Sequence, residues 1–223
     1  MNGPILTNHE FRATVPGDFQ MEYVYTNPAT SCTNTDSATM TVRPLPGTGF
    51  DVDAMHCINQ DVVVVPHDMP NNTFEWYFEG GTPVPSSGST TYAYNSFGYK
   101  EISVIVTSQY GCSDTSAITK IEVLDNPPLA LFDVDTTRGC APITVNFTVD
   151  TNMYNKKHYN LSFEWDYGKG PKTYDVVPNT PQVYTEATWD TVYNVSFTVS
   201  NMCGTERLTK NINVLATPRV SFA

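Results

Sequence analysis

A stretch of about 25 residues that occurs three times constrains the fold of this chain more than any other feature. In the middle copy, residues 99–123, apolar residues occupy every second position of the first half, at Ile102, Val104 and Val106. A period of two places such side chains on one face of a β-strand. The residues around Cys112 then turn the chain into a second strand. The middle copy is therefore predicted to form a β-hairpin with a cysteine in its turn.

The other two copies have the same pattern. The first spans residues 18–42 with Cys32 in its turn, and the third spans residues 191–214 with Cys203 in its turn. The turn cysteines are 80 and 91 residues apart, which is the length of one small β-domain. The three hairpins therefore predict one domain per period.

A second repeated element sets the phase of these domains. Phe50-Asp51-Val52-Asp53, followed by Cys57, recurs as Phe132-Asp133-Val134-Asp135, followed by Cys140. Residues 1–43 are predicted to be the C-terminal part of a preceding repeat, and residues 218–223 the start of a further one. Between them, two complete β-sandwiches are predicted at residues 44–126 and 127–217. Proline-bearing connections join them, which favours stiff linkers. We expect the chain to be a piece of a longer array.

Composition limits the classes of function. The formal net charge is −11, which disfavours binding to nucleic acid or to an anionic membrane. No segment reaches the 18 apolar residues of a membrane span, so membrane insertion by this fragment is not expected. Five cysteines at repeating positions, without a C-x-x-C pair, favour disulfides and an extracellular location.

Each complete repeat has a tryptophan within a strand of alternating aromatic residues. Trp76 lies in Phe-Glu-Trp-Tyr-Phe, and Trp165 lies in Phe-Glu-Trp-Asp-Tyr and is followed by Gly-Lys-Gly. We expect both to be core residues, as in other β-sandwiches. The segment from Trp165 to Gly170 resembles the W-x-F-G-D-G pattern of PKD (polycystic kidney disease) domains. Tyr167 and Lys169 replace the Phe and the Asp of that pattern.

The resemblance covers roughly residues 44–217, and it extends to the tandem PKD and Ig-like repeats of Bacteroidota cell-surface proteins, including gliding-motility adhesins. It implies an all-β chain of immunoglobulin-like, PKD-type antiparallel β-sandwiches arranged end to end. It also implies a non-catalytic stalk, spacer or adhesive module on a cell-surface or secreted protein. The alternative is an accessory region, polysaccharide-binding or spacing, of a secreted hydrolase. The implied partners are neighbouring repeats, surface polysaccharide or another surface protein.

Motifs of catalysis are missing from the sequence. It has no H-E-x-x-H, G-x-S-x-G or phosphate-binding glycine loop, and its four histidines are scattered. We therefore expect no catalytic residues. Trp189 precedes the last hairpin within a turn, where an exposed indole stacks well on a sugar ring. The alternative is that its ring covers the end of the core.

The aspartates of the repeated element offer a possible calcium site. Asp51, Asp53, Asp133 and Asp135 supply the carboxylate oxygens that calcium prefers, and the chain is acidic. The alternative is that these aspartates lie on the outer face of an edge strand, where charge opposes aggregation. No cofactor is expected beyond this weak calcium candidate.

Cysteine pairing follows from immunoglobulin-like topology. Cys57 and Cys140 follow the first strand of their repeats, whereas Cys112 and Cys203 lie in the last turn, at the opposite pole. A bond within a repeat would cross a strand of about 23 Å, but a disulfide needs Cα atoms about 4.4–6.8 Å apart. We therefore favour Cys57–Cys203 between repeats. The alternative pairs, Cys57–Cys112 and Cys140–Cys203, stay open if the strands shift.

Overall fold

A computed structural model describes residues 5–7, 10–67, 70–155, 158–174, 181–185 and 188–218. These residues form an all-β fold of short, mainly antiparallel sheets, which confirms the predicted fold class. The helical content of the described part is one 3₁₀ turn at Thr151–Met153, which the sequence pattern did not predict. No helix in the described ranges has the length and apolar character that a membrane crossing requires.

The strands follow one another along the chain with short connections. Those of the N-terminal part are β1 (Ile5–Thr7), β2 (Glu10–Arg12), β3 (Gly17–Thr26) and β4 (Thr33–Val42). Those of residues 44–126 are β5 (Phe50–Asp51), β6 (Met55–Cys57), β7 (Asp61–Pro66), β8 (Thr73–Phe78), β9 (Val84–Ser86), β10 (Thr90–Ala93), β11 (Gly98–Thr107), β12 (Ser113–Thr115) and β13 (Thr119–Leu124). Those of residues 127–217 are β14 (Asp133–Val134), β15 (Arg138–Cys140), β16 (Ile143–Val145), β17 (Phe147–Thr148), β18 (Ser162–Asp166), β19 (Thr173–Tyr174), β20 (Gln182–Tyr184), β21 (Thr191–Asn201) and β22 (Gly204–Leu215).

By compactness the chain divides into two units. Unit 1 comprises Met1–Val52, Val63–Thr90 and Glu101–Thr119, and unit 2 comprises Asp53–Val62, Thr91–Lys100 and Lys120–Ala223. The domain boundaries predicted from the repeats stay a prediction. The predicted start of a further repeat at 218–223 lies, apart from residue 218, outside the described residues.

The strand order of the larger sheet is the same in the two complete copies of the repeat. In residues 44–126 one sheet has the order β10-β7-β5, and the other has the order β6-β13-β11-β8-β9 with β12 beside β11. In residues 127–217 the larger sheet has the corresponding order β15-β22-β21-β18-β19, and β14-β17 and β16-β20 form the smaller pairs. The first strand of each copy is divided between two sheets, as β5 and β6 in the first copy and as β14 and β15 in the second. The last strand of each copy lies beside a preceding long strand in the larger sheet. This is the arrangement of an immunoglobulin-like sandwich.

Unit 1 contains the first hairpin and the aromatic strand of the first complete copy. Strands β3 and β4 pair antiparallel in register from Gly17↔Val42 to Thr26↔Thr33, as the repeat predicts. Tyr23 and Tyr25 of this hairpin are nevertheless exposed. In β8 the buried positions are Phe74, Trp76 and Phe78, which is the face that the alternating pattern predicts.

Unit 2 contains a core built around Trp165. Its ring lies 4.5 Å from that of Phe197 and 5.1 Å from that of Phe132, measured between centroids. The Tyr184 hydroxyl donates to the Tyr167 carbonyl at 3.1 Å. Burial raises the pKa of Tyr184 well above its ordinary value, with a smaller contribution from neighbouring tyrosines. The side chains of the alternating strands therefore meet in one aromatic core.

Candidate functional site

A disulfide joins the two complete copies of the repeat within unit 2. Cys57 and Cys203 form this bond with their Cα atoms 5.5 Å apart, although they are 146 residues apart in sequence. This is the pairing that the sequence favours. The group formed by Cys57, Glu122, Asp125, His158, Asn201 and Cys203 is called the disulfide cluster below.

Strand pairing brings each cysteine to its position. Cys57 ends β6, which runs parallel to β13 with Cys57 opposite Leu124. Cys203 lies in the two-residue turn between β21 and β22, where Asn201 pairs with Gly204. A two-residue hairpin loop has little conformational freedom, so the position of the Cys203 thiol is set by the strands on either side.

The Asn201 side chain organises the turn that carries Cys203. Its Oδ1 accepts the backbone N–H of Cys203, and its Nδ2 donates to the carbonyl oxygens of Asp125 and Tyr159, each at 2.8 Å. One amide thus ties the turn to two other segments of unit 2. Removal of the amide would leave partly buried backbone groups without a partner, which costs about 1–3 kcal/mol for each.

His158 adds a side-chain hydrogen bond to the disulfide cluster. Its Nδ1 lies 2.7 Å from Glu122 Oε1, and the two side chains are only 18% and 26% exposed. The backbone N–H of Asp125 donates to the His158 carbonyl at 3.2 Å, and the Tyr99 ring meets the imidazole edge-on at 5.1 Å. Partial burial strengthens such a hydrogen bond relative to an exposed one, because the local dielectric constant is lower. The cluster is therefore held by one covalent bond and several hydrogen bonds.

The alternative cysteine pairings are wrong in this structure. Cys112 and Cys140 are free thiols, as is Cys32, so neither Cys57–Cys112 nor Cys140–Cys203 forms. Cys140 lies opposite Leu215 at the end of β22, whereas Cys203 precedes the start of that strand. The eleven residues between those ends span roughly 36 Å at about 3.3 Å per residue. That separation is far beyond the reach of a disulfide.

The three tryptophans have different environments. Trp76 is fully buried and its Nε1 donates to Ser86 Oγ at 3.1 Å. Trp165 is also fully buried, and its Nε1 has no hydrogen-bond partner among the described residues. Trp189 is 74% exposed, so the alternative in which its ring covers the end of the core is wrong. The next residue in the chain, Asp190, lines a groove of about 300 Å³ together with Arg138, and Trp189 is not among the residues that line it.

The four candidate calcium ligands do not come together in the described part of the chain. Three of the carboxylates have other partners: Asp51 pairs with His67 at 2.9 Å, Asp133 pairs with Lys210 at 3.1 Å, and Asp135 accepts hydrogen bonds from Asn146. The Asn146 bonds hold the pKa of Asp135 below its ordinary value. Among the described residues no three His, Cys, Asp or Glu side chains form a group suited to a metal ion. Calcium binding therefore stays an untested expectation.

Sequence reasoning missed the non-cysteine members of the disulfide cluster. His158 comes from the connection at 152–159, which is longer than its counterpart at 68–72 in the other complete copy. Glu122 is one acidic residue in an alternating strand, and Asn201 ends a strand as many polar residues do. The extra length of the 152–159 connection was the one available signal that this segment has a role of its own.

Comparisons with known proteins give no family for this chain. No family profile matches the sequence, and no curated protein matches it. The solved structures that it resembles include the FN1-FN3 domains of chicken CNTN1, with 12% identity over 89% of this chain and 78% of the other, at a TM-score of 0.39. Fibronectin(III)-like modules of Clostridium thermocellum CbhA match with 9% identity over 75% and 94%, at a TM-score of 0.43. Extracellular domains 3-5 of Drosophila OTK match with 11% identity over 96% and 78%, at a TM-score of 0.43.

Proposed function

We propose that the chain is a non-catalytic repeat region of a large extracellular or cell-surface protein and acts there as a spacer. The observation that carries this proposal is the Cys57–Cys203 bond, which links the two complete copies of one repeated sequence. A disulfide of this kind persists in an oxidising compartment, which fits an extracellular domain. The PKD-like and Ig-like repeats that the sequence resembles serve as spacers or adhesive modules in Bacteroidota surface proteins.

A spacer has to keep its length under load, and the position of the bond serves that purpose. A force applied at the two ends of the chain passes through the disulfide, so the residues enclosed by Cys57 and Cys203 cannot extend while the bond is intact. A stretch of 146 residues, at roughly 3.5 Å for each, corresponds to about 50 nm of chain. The bond therefore keeps most of the chain from lengthening.

Single-molecule pulling between the two ends tests this role. We expect the oxidised chain to extend about 50 nm less than the reduced chain when both are fully unfolded. Cys140→Ala is the matched control, because it removes a free thiol and leaves the Cys57–Cys203 bond in place. Equal extension of the oxidised and reduced chains would show that the Cys57–Cys203 bond is absent, which removes the observation that carries the spacer role.

Location is tested separately in cells that make the natural protein. We expect a membrane-impermeant amine reagent to label exposed lysines of this region on intact cells. Lysis should not increase the labelled fraction. Labelling only after lysis would contradict an extracellular location.

The sequence on either side of this region in the full protein separates the surface array from the hydrolase alternative. Further repeats favour the array, and a catalytic domain favours the accessory role.

A second candidate function, contact with polysaccharide, has one observation in its favour. Trp189 is strongly exposed, and its chain neighbour Asp190 lines a groove together with Arg138. A flat exposed indole with a polar neighbour suits a sugar ring. We expect native affinity electrophoresis in polysaccharide gels to show retardation that Trp189→Ala abolishes and Trp189→Phe largely retains. A wild-type chain that no polysaccharide retards excludes this candidate and leaves the spacer role unaffected.

A further inference from the structure

In both copies the end of the last strand pairs with a short edge strand that carries a cysteine. In the first copy, Cys57 lies opposite Leu124 in a parallel pair, and in the second copy Cys140 lies opposite Leu215 in a parallel pair. The residue after each cysteine donates its backbone N–H to the carbonyl of that leucine, at 3.0 Å in both copies. Cys140 therefore occupies the position that Cys57 occupies in the first copy.

A surface groove lies beside each of these cysteines, and three of its positions correspond. The tryptophans align Tyr99 with Val192, because Trp76 lies opposite Val104 and Trp165 lies opposite Phe197. The parallel pairs align Met55 with Arg138 and Glu122 with Asn213, because Met55 lies opposite Glu122 and Arg138 lies opposite Asn213. The grooves of the two copies share these three lining positions.

In the first copy this edge is occupied. Cys57 is buried and bonded to Cys203, Glu122 holds His158, and Tyr99 contacts the His158 ring. All of these contacts come from the repeat that follows in the chain. The surface formed by Cys57, Tyr99, Glu122 and Leu124, called the Cys57 face below, is therefore a surface that receives the next repeat.

In the second copy the corresponding surface carries no repeat within the described residues. Cys140 is an exposed free thiol, and Val192 is a largely exposed apolar side chain. Their neighbours in the same surface are Asn213 and Leu215. These four residues are called the Cys140 face below.

We propose that the Cys140 face receives a further repeat of the same type, and that Cys140 forms a disulfide with the cysteine in the last turn of that repeat. The proposal rests on the spacer function and specifies its joint. Two thiols lose two protons and two electrons as the S–S bond forms. A disulfide oxidant such as oxidised glutathione accepts these protons and electrons and becomes two thiols. The incoming turn corresponds to the Asn201–Gly204 turn that carries Cys203.

One contact differs between the two faces and bears on how the repeat is held. At the Cys57 face the backbone N–H of Asp125 donates to the carbonyl of His158 in the following repeat. At the Cys140 face the corresponding N–H, that of Ala216, donates to Asp190 of the same copy at 2.9 Å. The incoming repeat thus has one fewer backbone hydrogen bond available, so the disulfide and the apolar Val192 contribute a larger share of the attachment.

The proposal is tested with a chain extended by one repeat. Residues 1–215 are followed directly by an appended copy of residues 125–217, which reproduces the connection found after Leu124. The extended chain is oxidised with glutathione disulfide and mapped by non-reducing proteolysis and mass spectrometry. We expect the Cys140 peptide linked to the Cys203 peptide of the appended copy, alongside the original Cys57–Cys203 bond.

Two variants of the extended chain sharpen the result. Cys140→Ser should leave the appended Cys203 as a free thiol, and Val192→Asp should slow formation of the new bond several-fold while the original bond forms at its usual rate. The proposal is overturned if Cys140 carries only glutathione, remains reduced, or links to Cys112 or Cys32 as often as to the appended cysteine.

A second measurement does not require the appended repeat to fold. The unextended chain at high concentration offers Cys112 in the corresponding last turn of its first copy. We expect intermolecular bonds from Cys140 to Cys112 in clear excess over Cys140–Cys140 and Cys140–Cys32 bonds, and equal amounts would overturn the proposal. The pulling experiment on the unextended chain is independent of Cys140, so failure of this joint is distinguishable from failure of the spacer role.

Discussion

Breaking the Cys57–Cys203 bond should destabilise unit 2 more than any conservative surface change. The bond joins residues that are 146 positions apart in sequence, and the loss of loop-closure entropy from the unfolded chain amounts to about 5 kcal/mol at 25 °C. For a chain of this size a change of 1 kcal/mol moves the melting temperature by about 2–4 °C, so we expect a drop of roughly 10–20 °C. The perturbation is reduction of the wild-type chain, compared with the double variant Cys57→Ala/Cys203→Ala.

Urea unfolding followed by tryptophan fluorescence measures this loss. Reduction removes only the covalent link, whereas the double variant also removes two sulfur atoms. The difference between them therefore measures the packing contribution of both sulfur atoms, of which that of Cys57 is buried. Cys140→Ala, at an exposed free thiol, should change the free energy of unfolding by less than about 0.5 kcal/mol. The reasoning fails if reduced and oxidised chains unfold at the same urea concentration, or if the Cys140→Ala control loses as much stability.

Three further predictions concern the core and the titrating groups. Trp165→Ala should cost about 3–5 kcal/mol in urea unfolding and Trp189→Ala less than about 0.5 kcal/mol, because one ring is fully buried and the other exposed; similar costs would contradict the assigned environments. Asn146→Ala should raise the pKa of Asp135 in a carboxyl NMR titration. In the wild type the contribution of the Asp135 carboxylate to stability is present above its ordinary pKa of 3.8 and is lost as the pH falls through the lower pKa of the folded state. An unchanged pKa in the variant would refute the contact between the Asn146 side chain and Asp135. Burial raises the pKa of Tyr184, so above about pH 10 the folded chain keeps a proton that the unfolded chain loses, and the free energy of unfolding should fall. Tyr184→Phe should weaken this fall, and an identical pH profile of stability in the variant would refute the role of Tyr184.

The strand pattern and the cysteine pairing could be predicted from sequence because both follow from repetition. Alternation at Phe74, Trp76 and Phe78 identifies one buried face, and the observed burial follows it. The positions of Cys57 and Cys203 relative to strand ends limit which pairs can meet, since a disulfide tolerates only a narrow range of Cα separations.

Contacts between loops could not be predicted in the same way. His158 meets Glu122 across 36 residues through a connection that has no periodic pattern, so nothing local in the sequence indicates the pair. Tyr23 and Tyr25 alternate in the same way as the buried residues of the other hairpins, but both rings are exposed. Alternation states which side chains share a face of a strand, and whether another layer covers that face depends on the rest of the fold.

The sequence separation of the disulfide has a consequence for biosynthesis. A ribosome that adds about 5–20 residues per second needs roughly 7–30 s to proceed from Cys57 to Cys203. During that interval Cys112 and Cys140 emerge first, and either can react with Cys57 in an oxidising environment. A premature bond of this kind is removed by thiolate attack and exchange. Efficient production of the native bond therefore favours oxidation after synthesis is complete, or a disulfide isomerase that corrects early partners.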